Sequence, residues 1–332
     1  MANKSTINIG FCISEALKDY GVTMNPSICF LLSNPLWLGL NTTNNNDAFF
    51  PIDKEYVSFI NPLILEHFSV NANCLFIPVR GNAKEHYYLI LTRLQNKKKV
   101  LVKISNGVLN KDKNHKMDVQ RPILSLIYEI KETSLKKNDK VRLHFSMQEE
   151  RIISKENFIK HWNCDEQKRI NAEWFAIIPS KNKLSEELLI KKLKNAFIKQ
   201  AYYLKPKSEK LITGYAVLQY LRNSLKLGTG KYNTSKRHQI IWRASNEITN
   251  DYSSSRLQFT NSLIDIQEFW EKDLNNLIQI FTDASNLWES FLNKNSSTEI
   301  ISKRYLLKQY TGLITVEKEL LQKLNQLIYG NQ

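Results

Sequence analysis

Three side chains in this sequence are of the types that together make acyl chemistry: a thiol at Cys12, an imidazole at His86 and an amide at Asn106. A thiol becomes a nucleophile when its thiolate is stabilised, as at a helix N-terminus or beside a histidine. The histidine in turn needs a carboxylate or amide on its other ring nitrogen to hold its orientation. A Cys-His-Asn set of this kind forms and breaks thioesters without metal or nucleotide. Each residue also has an ordinary explanation: a small core residue for Cys12, a polar strand start for His86, and a turn pair for Asn106-Gly107. His144, in the stretch Val141-Arg-Leu-His-Phe-Ser146, is the rival base, while His67, His115, His161 and His238 suit polar surface or helix ends.

The elements around these residues follow from periodicity. Ile13, Ala16, Leu17 and Tyr20 fall on one helical face that stops at Gly21, which places Cys12 at the N-terminal end of a short helix. A second short helix runs from Pro26 through Cys29-Phe-Leu-Leu32 and is broken by Asn34-Pro35. Between Cys74 and Ser146 β-branched and aromatic runs predict strands over Cys74–Val79, Tyr87–Leu94, Val100–Ser105, Ile123–Lys131 and Val141–Ser146, with Glu173–Ile178 following. Reading Gln95–Lys98 as a hairpin turn sets His86 and Asn106 side by side at the open end of two paired strands. Beyond residue 182 the period is helical. Leu184 to Ala201 and Leu211 to Leu225 each form an apolar face, and Leu263 to Phe291 reads as one long helix whose tryptophans belong to the core. After a turn at Asn293–Ser297, Leu306 to Leu327 returns antiparallel to it. The expectation is an α+β fold, with an antiparallel sheet and nucleophile helix over residues 1–180 and an all-helical domain over 181–332.

Composition narrows the classes. With 47 Lys and Arg against 32 Asp and Glu, the formal net charge is +15, a field that attracts acidic partners. No Arg-rich recognition helix, aromatic RNA-binding strand or zinc finger stands out, which argues against nucleic acid. The four cysteines are scattered without a CxxC, so neither a zinc site nor a disulfide framework is indicated. The sequence contains neither a run of about 18 apolar residues nor a secretory leader pattern, so no membrane association and a cytoplasmic location are expected.

The stretch Cys12-Ile-Ser-Glu-Ala-Leu-Lys-Asp-Tyr-Gly21 resembles the nucleophile helix of the papain-like butirosin biosynthesis protein H-like (BtrH-like) acyltransferases, in which a Cys is followed by an Ala-Leu helix and a Tyr/His-Gly stop. His86 to Asn106 is similar to that family's His strand and following Asp strand, with Asn for Asp. Thr213-Gly-Tyr-Ala-Val-Leu-Gln-Tyr-Leu221 and Ser255-Arg256-Leu-Gln-Phe259 resemble helices of its C-terminal domain. The chain departs from the family at Ser33-Asn-Pro-Leu-Trp-Leu-Gly39, where a Gly-rich stretch is expected, and no Gln precedes Cys12 at papain-like spacing. The oxyanion hole is thus unassigned, with the backbone N–H of Cys12 as a candidate donor.

What the resemblance implies is ATP-independent amide synthesis in antibiotic biosynthesis, as in closthioamide-type pathways. Cys12 takes an acyl group from the thioester of an acidic acyl or peptidyl carrier protein, and His86 deprotonates an amine acceptor. No cofactor is expected beyond the carrier's phosphopantetheine arm, which is part of the substrate, no metal is needed, and a homodimer is allowed. The alternatives are a cysteine peptidase or amidase, a catalytically inactive papain-like scaffold that binds proteins, and, more distantly, a helical nucleic-acid binder.

Overall fold

The computed structural model describes residues 8–41, 57–60, 64–105, 108, 122–131, 139–162, 172–179, 184–208, 211–227, 255–270, 273–295 and 303–330. The chain is mixed α+β and divides into two compact units. The first comprises residues 1–30 and 68–184, the second residues 31–67 and 185–332. Residues 31–67 therefore group with the C-terminal half of the chain.

The first unit is built on a six-stranded antiparallel sheet in the order β3-β8-β4-β5-β6-β7. Its strands are β3 (Leu75–Gly81), β4 (Val100–Ser105), β5 (Pro122–Lys131), β6 (Lys140–His144), β7 (Glu150–Ser154) and β8 (Ala172–Ile178). Directly paired residues share a face of a sheet. Val100, Val102, Ile127, Leu143 and Trp174 lie on one face and form a single core with Ala83, Tyr87 and Ile90 of α4 (Ala83–Gln95) and Phe158 and Trp162 of α5 (Lys155–Trp162). The opposite face carries Leu101, Leu126 and His144, which are paired across β4, β5 and β6.

Helix α1 (Ile9–Lys18) belongs to that opposite face. Its Glu15 accepts hydrogen bonds from Lys99 and from Tyr128, whose ring lies 4.1 Å from the His144 ring. Asn8 caps α1 by accepting the Phe11 amide at 2.9 Å, and the Asn8 amide bonds the Phe145 carbonyl at 2.8 Å, fixing the helix start to the end of β6. A side chain at Gly10 would sit 2.1 Å from the Pro26 carbonyl oxygen, so only glycine lets α1 approach α2 (Pro26–Leu32) this closely.

The segment expected as a strand from Tyr87 to Leu94 is the body of α4 instead. Asn82 caps the helix through the Lys84 amide, and Ala83, Tyr87, Ile90 and Leu94 recur at helical spacing toward the core. At its end Lys97 takes φ 58°, the Lys97 amide bonds the Leu94 carbonyl and the Lys98 amide bonds that of Arg93. This is a Schellman stop made without glycine. There is accordingly no His86–Asn106 hairpin, and Asn106 itself lies outside the described residues.

The second unit joins helices to a small antiparallel sheet in the order β2-β1-β10-β9, with β1 (Leu36–Asn41), β2 (Val57–Ile60), β9 (Lys207–Ser208) and β10 (Leu211–Thr213). The C-terminal half is thus not purely helical. Gly214, at φ 58°, turns the chain from β10 into α7 (Tyr215–Leu227), and a side chain there would strike the Leu204 carbonyl at the end of α6 (Glu186–Leu204).

The long helix expected over Leu263 to Phe291 is interrupted. A helix α8 over residues 255–266 passes into a short 3-10 turn at Gln267–Phe269, Trp270 is extended, and α9 (Asn275–Asn295) starts afresh. Asp273 accepts the Asn275 amide at 2.8 Å, a local bond that competes with helix continuation. Pairing of Phe291 with Tyr310 and of Trp288 with Glu317 makes α9 antiparallel to α10 (Lys303–Tyr329), as expected from their periodicity. Both Trp270 and Trp288 are buried. Arg256 of α8 forms a two-bond ion pair with Glu317, at 2.7 and 3.2 Å, and the Glu317 carboxylate also accepts the Trp288 indole N–H. Among the described residues no helix is long and apolar enough to cross a membrane.

Candidate functional site

Cys12 lies one turn into α1, not at its open end. The helix starts at Ile9, and the Cys12 amide is already spent on the Asn8 carbonyl at 3.1 Å, so it is not free to serve an oxyanion. The thiol has no exposed surface and points its proton at two main-chain acceptors, the His144 and Phe145 carbonyls, each at 3.7 Å. Burial pushes the Cys12 thiol up to about 12, with the Glu15 charge acting in the same direction and a backbone hydrogen bond opposing them. A helix N-terminus favours an anion by about 0.3–1 kcal/mol, whereas each unit of pKa is about 1.4 kcal/mol. Desolvation wins by a wide margin, and the thiol is protonated at neutral pH.

His86 sits in the first turn of α4, on the other face of the sheet. Its Nδ1 accepts the Trp174 indole N–H at 3.2 Å, and its ring packs over Gly81, where an added Cβ would fall 2.1 Å from Nε2. Arg93 stacks its guanidinium on the same Trp174 ring, 4.6 Å from the centroid. Cys12 and His86 are therefore separated by the sheet that each of them helps to cover. His144 is the histidine next to Cys12, but through its main chain: its imidazole pairs with Glu150 at 3.1 Å and stacks on Tyr128. Burial holds the His144 pKa below the usual imidazole range, against the raising effect of Glu150. The remaining cysteine of the sequence, Cys164, lies outside the described residues, as do His115 and His238, while Cys29 and Cys74 are buried free thiols.

The strongest polar constellation near Cys12 was not anticipated from the sequence. Glu15 accepts from the Tyr128 hydroxyl at 2.8 Å, from Lys99 at 3.2 Å and from Lys18, while Asp19 accepts from the amide and ammonium of Lys99. Burial alone would raise the Glu15 pKa, but these donors and the Lys99 charge outweigh it and hold the carboxyl at about 2. Tyr128 is raised in turn by burial and by its bond to Glu15, so it stays a donor. The available signal was the helical spacing of Glu15 and Asp19, one and two turns beyond Cys12 on the same helix. On the sheet side, the Ser125 hydroxyl donates to the His144 carbonyl at 3.3 Å, the same oxygen that receives the Cys12 thiol. Among the described residues no group of three or more His, Cys, Asp or Glu could hold a metal ion.

No protein-family model matches the chain, and no curated protein matches it either.

Proposed function

We propose that this chain is a catalytically inactive scaffold of papain-like design that binds an acidic protein partner. The observation that carries this reading is the sealed state of Cys12: fully buried, protonated, and bonded to two carbonyls where a working nucleophile needs an imidazole. A cysteine-bearing helix against an antiparallel sheet supports the papain-like comparison. The net charge of +15 supports an acidic partner, since like-signed surplus charge steers association with anions.

Acyl transfer from a carrier-protein thioester to an amine is the second reading, favoured by the place of Cys12 in the first turns of α1. In that reading the carrier's phosphopantetheine arm is substrate and Cys12 must become exposed during the cycle. Intact-mass measurement after incubation with an acyl-loaded carrier protein separates the two. The scaffold reading expects binding that weakens with salt and no added acyl mass. A thioester adduct mapped to Cys12 would replace it with the enzyme.

A further inference from the structure

We infer that the outer edge of β7 is a self-pairing surface, where two copies of the chain join antiparallel about a two-fold axis at Ile152 and merge their six-stranded sheets. The direction of the β7 backbone groups follows from its bonds to β6. The Phe145 amide donates to the Glu149 carbonyl and the Lys155 amide to the Asp139 carbonyl, so residues 149, 151, 153 and 155 turn their main-chain groups toward β6. By alternation the amides of Glu150, Ile152 and Ser154 point outward. Among the described residues β6 is the only strand that pairs with β7. No Pro, Gly or bulge blunts this edge, and its central side chain, Ile152, is 54% exposed. The sheet's other edge is closed: the Phe76 amide, which points away from β8, is taken by the Ser69 hydroxyl at 2.9 Å, and Pro78, the next outward position, has no N–H. Pairing therefore stops at two copies and builds no filament.

The occupant is a second copy because β7 is its own complement. Antiparallel pairing about Ile152 sets that residue beside its twin, Arg151 opposite the second copy's Ile153 and Glu150 opposite its Ser154, so no like charges meet. At the axis the two Ile152 residues exchange amide-to-carbonyl bonds. Each Ser154 amide meets the other copy's Glu150 carbonyl, which the Arg151 guanidinium reaches at 3.1 Å and which keeps a second lone pair. One strand in from the edge, Lys140 lies opposite Ser154, on the face that carries Glu150 and Ile152. Neighbouring strands are about 4.8 Å apart, so the exposed Lys140 side chain spans the small serine to reach the second copy's Glu150. That carboxylate is held on the same face by Arg142 and His144, at 3.4 and 3.1 Å.

Sedimentation velocity of the full chain over a concentration series tests this, with hydrogen exchange read on the same samples. A reversible dimer in the micromolar range is expected, as for other small interfaces, with exchange at Ile152 and Ser154 slowing as concentration rises. Ile152→Pro removes an amide that β6 does not use, so it should keep the circular dichroism spectrum. It should raise the dissociation constant at least about tenfold, because each copy loses a bond at the axis. Lys140→Glu, which sets like charges across Ser154, should weaken the dimer several-fold and decides the matter if the proline variant misfolds. A chain that stays monomeric throughout, or a dimer as tight in both variants as in the parent, would overturn the inference while leaving the acidic-partner reading standing. An Ile152 amide protected equally at every concentration would mean that the chain covers this edge itself, which also overturns it.

Discussion

Cys12 and Ser125 share one acceptor: the thiol of the helix and the hydroxyl of the strand both donate to the His144 carbonyl, at 3.7 and 3.3 Å. The strand thus brings a second donor to this oxygen and not a base. A proton leaving Cys12 has no receiver among these partners.

Chemical reactivity follows from this. With its pKa pushed up to about 12 and no exposed surface, Cys12 should resist alkylation by iodoacetamide at pH 8 in the folded protein and react once guanidinium unfolds it. Cys12→Ala should cost about 1–2 kcal/mol of stability from lost packing, with no effect on partner binding. Peptide mapping of the labelled protein checks the first, and chemical denaturation the second. Rapid labelling of Cys12 in the native state would sink the sealed-thiol description.

Acid should loosen the α1 anchor in a defined window. Because the Glu15 pKa in the fold is about 2, below its unfolded value, its contribution is fully present above pH 4.5 and is lost as pH falls from there toward 2. Glu15→Gln should lower stability at pH 7 by about 1.5–3 kcal/mol, the range for bonds to a charged group, and flatten the loss between pH 4.5 and 2. Thermal melts of both proteins across that range decide it, with Lys99→Met as the partner in a double-mutant cycle.

In the second unit the Arg256–Glu317 pair should behave as a buried ion pair. Both residues are almost wholly inaccessible, and Trp288 donates to the same carboxylate. Glu317→Ala strands a guanidinium and should cost about 3–5 kcal/mol, while replacing Arg256 and Glu317 together by Met and Leu should recover most of that loss. Urea denaturation of the single and double variants measures the difference. An additive double variant would mean that the two charges do not depend on one another.

His86 should prove to be a packing residue. Gly81→Ala brings a methyl within 2.1 Å of the His86 ring, forcing it off Trp174 at about 1–3 kcal/mol, the usual range for overpacking. Adding His86→Ala should return part of that cost, read as a rise in melting temperature of the double variant over Gly81→Ala alone. No rise would mean that the ring already has another place to go.

The parts legible in the sequence were those in which local pattern and final environment agree. The apolar face of Ile13, Ala16 and Leu17 gave α1, and β4, β5, β6 and β8 lie where their β-branched runs predict. The run Tyr87 to Leu94 misled because Tyr, Ile and Thr favour strands, while the deciding signals were the Asn82 cap and the three- and four-residue recurrence of Ala83, Tyr87, Ile90 and Leu94. Helical identity alone would still not have separated His86 from Cys12. That separation depends on which face of the sheet each helix covers, a property of pairing between distant strands that no local window contains.

The insertion of β8 between β3 and β4 also bears on how the protein is made. β3, α4 and β4 leave the ribosome early, yet the strand that β3 pairs with among the described residues, Ala172–Ile178, comes after β5, β6, β7 and α5 have been synthesised. Until then β3 lacks that ladder, and Trp174 is missing from between His86 and Arg93. Loop closure over so long a stretch is slow compared with hairpin formation. Nascent chains stalled before residue 172 should therefore carry a sheet of β4 to β7 and an unpaired, protease-sensitive β3, so that a late strand closes the first unit in a single step.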